Sequence, residues 1–410
     1  MGYQRAHGIT EVDIASFPID TAAYDAFGRL RVSNPTTIFD SKSLWDKSPL
    51  FWDDKEVSGS GATSFFNPGK ASVTLKVSTT TAGKRVRQTF QRFNYQPGKS
   101  QLIFLTVVLD LYGGGTDIIR EVGIFDDNNG IFLKDDEGTY KIVQRSSTSG
   151  SAVDTEVSQS SWSIDSMDGT GPSGITLDFT KTQIIVIDYE WLGVGRVRFG
   201  FVAGGIIYHA HCFNNANSIV TVYMATPNLP IRYSAENLGT ANQAALISIC
   251  STVISEGGLN KLGILRHKDS GTLTGLATGT TYAVVGIRLK STHIDAGILL
   301  ENISLLATTN NDQAHWEIYL NPTIAGTFTY SDMTNSAIQA ATGAAANTVT
   351  GGTEFDGGFF ETSAPATTIT PNAIRLGAAI DNTVDEFVLT VTPITNNIGI
   401  RGSITWRELS

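Results

Sequence analysis

The chain has little cysteine, no long apolar run and few clustered positive charges, and each shortage excludes a class of protein. Only Cys212 and Cys250 occur among 410 residues, so no disulfide framework organises the fold. Both thiols sit in apolar strand-like contexts, HAHCF and the 246–252 run, and read as core filler. No window approaches the roughly 18 apolar residues that a membrane helix needs, and MGYQRAHGITEVDIASF carries no apolar core of signal-peptide length. Neither membrane insertion nor secretion is expected, which makes a cytoplasm the expected place of synthesis. A net charge of −10 disfavours a nucleic-acid partner, which would want clustered Lys and Arg. No helical amphipathic run of useful length intervenes between the apolar segments, which weighs against a parallel α/β sheet.

What is present is strand. Short segments rich in Val, Ile, Thr, Phe and Tyr recur along the chain, among them SVTLKVST, QLIFLTVVLDLY, QIIVIDYEWL and GRVRFGFVAG. Turn residues separate them, as in Asp126-Asp127-Asn128-Asn129-Gly130, and the 41 glycines supply the positive φ angles that tight turns need. The expected fold is all-β: two antiparallel β-sandwich, jelly-roll-like domains preceded by an extended N-terminal arm. The arm covers 1–45, where Pro18, Gly28 and Pro35 interrupt any helix and FGRLRVS alternates like a short strand. The first sandwich is expected over 46–230. A proline-bearing stretch at 226–244 loses the alternation and reads as the boundary, with a linker at 231–244 and a second sandwich over 245–410. The Ala-rich 336–350 segment reads as a short helix or a loop.

Several stretches resemble virion-associated structural proteins of tailed bacteriophages and large DNA viruses. These are AFGRLRVSNPTTIFDSKSLWDKSPLFWDD at 26–54 with VRQTFQRFNYQPGKSQLIFLT at 86–106, HWEIYLNPTIAGTFTY at 315–330 with ANTVTGG at 346–352, and GSITWRE at 402–408. The resemblance samples both domains. It implies a capsid-associated or fibre-like protein that assembles in the host cytoplasm and resides in the virion, and it carries over no catalytic residues. The expected partners are the chain itself, as a homo-oligomer for which a trimer is one option, and other virion proteins. Candidate interface residues are Phe27, Arg29, Leu30, Arg31 and Val32 in the arm, with Trp45 and Trp52 just beyond it, because aromatic and Arg side chains anchor interfaces. On this reading, deleting residues 1–40 leaves folded sandwiches that no longer join particles. The basic run Lys84-Arg85-Val86-Arg87 offers Arg85 and Arg87 on one strand face, in reach of acidic loops of a neighbouring subunit.

No G-x-S-x-G elbow occurs, and Gly-rich turns open no helix that could cradle a phosphate. Alternation along a strand puts His209 and His211 on one face, in reach of a shared ion, but a third ligand is not apparent and no metal is expected. No cofactor is expected either. Asp188 and Glu190 share a strand face beside Trp191, a pattern open to three readings. These are a host-surface glycan site on an adhesin, the paired carboxylates of a polysaccharide depolymerase, and a solvated strand face with Trp191 in the core. A non-enzymatic structural protein is the leading expectation.

Overall fold

In the computed structural model the described residues are 24–29, 31, 34–112, 115–239, 243–309, 311–364, 366–368 and 375–409. Every strand pairing among them is antiparallel, and the strands form two pairs of large sheets and one two-stranded sheet, Thr323–Ile324 with Val349–Thr350. This is the expected all-β, jelly-roll-like double sandwich.

The first sandwich faces an eight-stranded sheet onto a seven-stranded one. The eight-stranded sheet runs Ile206–Asn214, Arg196–Ala203, Gln183–Tyr189, Ser100–Val108, Ala245–Glu256, Ser72–Lys76 and Thr63–Asn67, with Thr36–Lys42 also pairing Ala245–Glu256. The facing sheet runs Val153–Ser158, Thr139–Ser146, Gly130–Asp136, Ile118–Phe125, Ile231–Asn237, Gly83–Thr89 and Trp52–Gly59. Period-two alternation explains the core between them. Ile103, Leu105, Ile185, Ile187, Phe199 and Phe201 point inward from one sheet and meet Val122, Ile124, Ile131, Leu133 and Tyr233 from the other. Full burial of such a side chain contributes about 1.5–3 kcal/mol, so this layer is the main stabilising element.

Two boundaries differ from those expected. The 231–244 segment is no linker: Ile231–Asn237 is an inner strand of the seven-stranded sheet, and Ala245–Glu256 is an inner strand of the eight-stranded one. Tyr233, Ala235, Leu246 and Val253 belong to the first core. The prolines at 227 and 230 mark a loop leading into Ile231–Asn237; proline signals the end of a strand and does not distinguish a turn from a domain border. The passage between sandwiches lies instead at 257–263, where Gly257, Gly258 and Gly263 adopt positive φ. The second difference is in the arm. Thr36–Lys42 is a strand of the first sandwich, with Phe39 buried against Phe51, Trp52 and Phe93. The FGRLRVS motif does not form the expected strand over its described residues, because Asp25 closes a turn there.

The second sandwich pairs a five-stranded sheet (Ile264–Asp269, Ile398–Leu409, Gly297–Ala307 and Ala366–Thr368, with Leu273–Leu276 beside Ile398–Leu409) with a six-stranded one. The latter runs Ser331–Asp332, Ile338–Thr342, Tyr282–Leu289, Glu386–Pro393, Gln313–Leu320 and Thr353–Glu361. Trp406, Ile404, Leu389 and Val391 fill its core. The Ala-rich stretch, expected as a short helix or a loop, contributes the strand Ile338–Thr342, with Ile338 and Ala340 facing the core. The two sandwiches are fastened directly as well as through the connecting segment. Asn228 Nδ2 donates to Asp295 O at 2.9 Å, and Gln96 exchanges hydrogen bonds with the backbone of Asn260 in the connecting segment. On the other side, the Ala378 and Ile380 N–H groups donate to Phe90 O (3.0 Å) and Asp53 Oδ2 (2.8 Å). Among the described residues no helix is long and apolar enough to cross a membrane.

Neither cysteine is core filler. Cys250 is exposed and Cys212 half-buried, because both lie on the side of the eight-stranded sheet that faces away from the core. Titration of the native protein with a chromogenic disulfide is expected to show one thiol reacting fast, Cys250, and one slowly; Cys250→Ser should abolish the fast phase. Two slow thiols would contradict this surface placement.

Candidate functional site: an ion-paired seat for the N-terminal segment

The strand Gln183–Tyr189 presents Ile185, Ile187 and Tyr189 to the core, so alternation turns Asp188 to the opposite face. Register places Arg198 of the neighbouring strand directly beside it. Asp188 is fully buried there, and the cover is the N-terminal segment itself. Its Oδ2 accepts hydrogen bonds from Arg198 Nε at 3.0 Å, from Arg198 Nη2 and from Arg31 Nη2. Arg31 also reaches Glu256 Oε1 at 3.3 Å. Two guanidinium groups thus face two carboxylates, a balanced set largely shielded from water. Such a cluster persists only if every member is matched, because an unpaired buried charge is costly.

The segment is shaped to enter this seat. Asp25 Oδ1 accepts the backbone N–H groups of Phe27 (3.0 Å) and Arg29 (2.9 Å), and its Oδ2 accepts Arg29 Nε (2.7 Å). Gly28 at φ +76° makes the turn possible. The folded-back carbonyls then point at the sheet: Tyr24 O accepts from Arg198 Nη2 and from Arg31 Nε (3.0 Å), and Ala26 O accepts from Arg196 Nε (3.2 Å). Arg29 Nη2 closes the ring on Gly98 O at 2.9 Å.

Glu190 lies next to this seat, 7 % exposed, its Oε1 accepting the Arg196 N–H at 3.2 Å. Burial pushes its carboxyl from the ordinary 4.5 up to about 7; Asp25 adds to the shift, while the Arg196 N–H and the charges of Arg196 and Arg29 oppose it. A carboxyl whose pKa is raised on folding stabilises the fold below its unfolded value, and that contribution fades as pH climbs through the folded value. Relative to Glu190→Gln, the parent is therefore expected to lose stability between about pH 4.5 and about pH 7. Urea midpoints of the two proteins across that range measure it, and parallel curves would refute it.

The site residues read from sequence scatter. Asp188 and Glu190 are both covered, so neither presents a carboxylate to a polymer or glycan from the outside, and the glycan and depolymerase readings of this pair are corrected on that ground. Trp191 is half-buried against the core, its Nε1 donating to Met224 O at 3.0 Å and its ring meeting Tyr95 edge-on. His209 and His211 do not share a face. A β-bulge at this point sets His209 opposite Gly200 but His211 opposite Phe199, which turns His211 to the core side against Phe213. His211 Nδ1 accepts the Ser163 N–H, and burial lowers its pKa. Among the described residues no group of three or more His, Cys, Asp or Glu is arranged to hold a metal ion.

Of the interface candidates, Arg31 is the seat's own cation and Trp52 is a core residue whose Nε1 donates to Ser41 Oγ. Phe27 and Arg29 are partly exposed, with the guanidinium over the ring at 4.8 Å. Trp45 is 77 % exposed and shares its loop with exposed Leu44, Leu50 and Phe51. Leu30 and Val32 lie outside the described residues. Arg85 and Arg87 do not reach outward: Arg85 pairs with Asp54, and Arg87 is buried over Trp52. Arg198, Glu256 and Asp25 escaped the sequence reading. The Asp25-x-x-Gly28 turn carried a local signal, whereas the pairing of Arg198 with Asp188 appears only once strand register is known.

No protein-family model matches the chain, and no curated protein sequence matches it. Among solved structures it is similar to an endo-1,3-beta-glucanase from Streptomyces sioyaensis at 8 % identity, over 55 % of this chain and 98 % of that one, with a TM-score of 0.35. Peanut lectin is similar at 11 % identity over 54 % of this chain and 98 % of its own, with a TM-score of 0.31. The carbohydrate recognition domain of Emp47p is similar at 13 % identity over 55 % and 97 %, with a TM-score of 0.33.

Proposed function

We propose that this chain is a non-enzymatic structural component of a virus particle, docked on its neighbours through its N-terminal segment and the apolar loop that follows. The observation that carries this reading is the seat at Asp188. Asp188, the better-buried half of the carboxylate pair that was the best candidate for chemistry, is covered by the described residues of 24–31, and its charge is matched by Arg31 and Arg198. The site therefore serves attachment of the segment. The loop at 44–51 offers the exposed Leu44, Trp45, Leu50 and Phe51, a grouping suited to burial against a partner, and it lies within the stretch that resembles virion proteins. In this role the chain self-associates and contacts other virion proteins.

The test is incorporation into particles. A chain lacking residues 1–23 keeps the seat and is expected to remain folded while its copy number per particle falls by at least tenfold. Trp45→Ala should lower it further. Full incorporation of both variants would overturn the docking role, and absence of the parent chain from purified particles would overturn the virion reading altogether.

A further inference from the structure

Where the two sandwiches meet, a cavity of about 450 Å3 is lined by Lys55 and Phe90 from the first and by Arg288, Asn321, Asp385 and Glu386 from the second. A smaller cavity of about 170 Å3 shares Phe90, Asn321 and Asp385 and extends the cleft towards Leu50. The volume falls within the range of about 300–1,000 Å3 common to small-molecule sites, which favour domain interfaces. Its walls are held in place from both sides. Ala378 N–H donates to Phe90 O, Ile380 N–H to Asp53 Oδ2, and Lys55 Nζ to Asp381 Oδ2 at 2.9 Å. Gly377 packs so tightly there that a Cβ would stand 2.2 Å from Phe90 O. A cleft of this kind is formed before any ligand arrives.

Its chemistry narrows what it can take. Two cations and two carboxylates line it, and Lys55 is further matched by Asp53 at 3.2 Å, so the cleft has no net attraction for a phosphate or a polyanion. Arg288 is held over the Tyr330 ring at 4.2 Å, with its Nε donating to Gln339 Oε1 at 2.8 Å. Asn321 is locked as well, donating to Asp385 Oδ1 and accepting the Glu386 N–H, both at 2.8 Å. These bonds fix the polar groups in direction. Phe90 and Pro322 add apolar surface between them. A ligand that matches this lining is uncharged, donates and accepts hydrogen bonds around its rim, and has apolar C–H faces.

We propose that the cleft between the sandwiches binds a neutral saccharide, with Glu386 and Asp385 accepting from its hydroxyl groups, Arg288 donating to them, and Phe90 and Pro322 packing on its C–H face. This is a second function beside the structural role and does not depend on it. It moves glycan recognition away from Asp188, Glu190 and Trp191 to a site that both sandwiches build.

The full-length chain is to be applied to an oligosaccharide microarray carrying neutral, sialylated and uronic-acid glycans, followed by calorimetric titration with the neutral oligosaccharide of strongest signal. Retention of neutral glycans is expected. Thr383→Trp, at an exposed position on the cleft wall, should fill the space and abolish binding. Glu386→Gln, which keeps the shape but exchanges an anionic acceptor for an amide, should weaken it about tenfold. Glu190→Gln should bind as the parent does. Retention of acidic glycans alone, of none, or equal affinity in the parent, Thr383→Trp and Glu386→Gln would each overturn the proposal.

Discussion

Replacing Asp188 by alanine is expected to destabilise the first sandwich by about 3–5 kcal/mol, the cost of removing one partner from a buried ion cluster. The loss comes less from the missing attraction than from what remains: Arg198, fully buried, and Arg31, nearly so, with only Glu256 to face them. Arg31→Ala should cost less, since its side chain keeps some exposure and Arg198 still matches Asp188. A double-mutant cycle between Asp188→Ala and Arg31→Ala isolates their coupling. Amide exchange in the strand Gln183–Tyr189, read against urea, follows the affected region directly. A cost below about 1 kcal/mol, the range of exposed ion pairs, would mean that the seat is not a buried cluster at all.

Removing residues 1–42 is expected to unfold the first sandwich, whereas removing residues 1–23 is not. The longer deletion strips the strand Thr36–Lys42 from Ala245–Glu256 and takes Phe39 out of its cluster with Phe51, Trp52 and Phe93. Loss of a buried phenylalanine alone costs about 3–5 kcal/mol. Adding the orphaned Asp188 exceeds much of the roughly 5–15 kcal/mol by which a domain is stable. The expectation that a chain lacking residues 1–40 stays folded is thereby corrected, because part of the arm is sheet and part is counter-ion. Thermal denaturation of both truncated chains decides the matter: melting of the 43–410 chain at the parental temperature would contradict the packing described.

Most of the fold was legible because its signals are local. A strand such as QIIVIDY shows its inward face through alternation, and turns such as DDNNG and LGVG announce themselves through residues that tolerate positive φ, as Gly130 and Gly193 do. The prolines near 230 illustrate the limit of that locality. They interrupt alternation just as a domain border would, yet the strands that follow return to the first core. The paired histidines show another limit. One bulge residue shifts the period and sends His209 and His211 to opposite faces, although the sequence alternates without a break.

By itself, then, the amino-acid sequence determined that this chain is built of antiparallel strands, that it folds into two sandwiches without disulfides, and that Asp188 lies on the face of its strand opposite Ile187 and Tyr189. Only the tertiary structure decided what that face does. Arg31 and Asp188 stand 157 residues apart, and Arg198 meets Asp188 through strand register. Neither separation leaves a periodic trace, because a charge is neutralised by whatever the fold brings beside it and not by its neighbours along the chain. The N-terminal segment that reads as an arm reaching outward is, over its described residues between 24 and 42, bound to its own sandwich, since two buried guanidinium groups require two carboxylates and Phe39 requires a core.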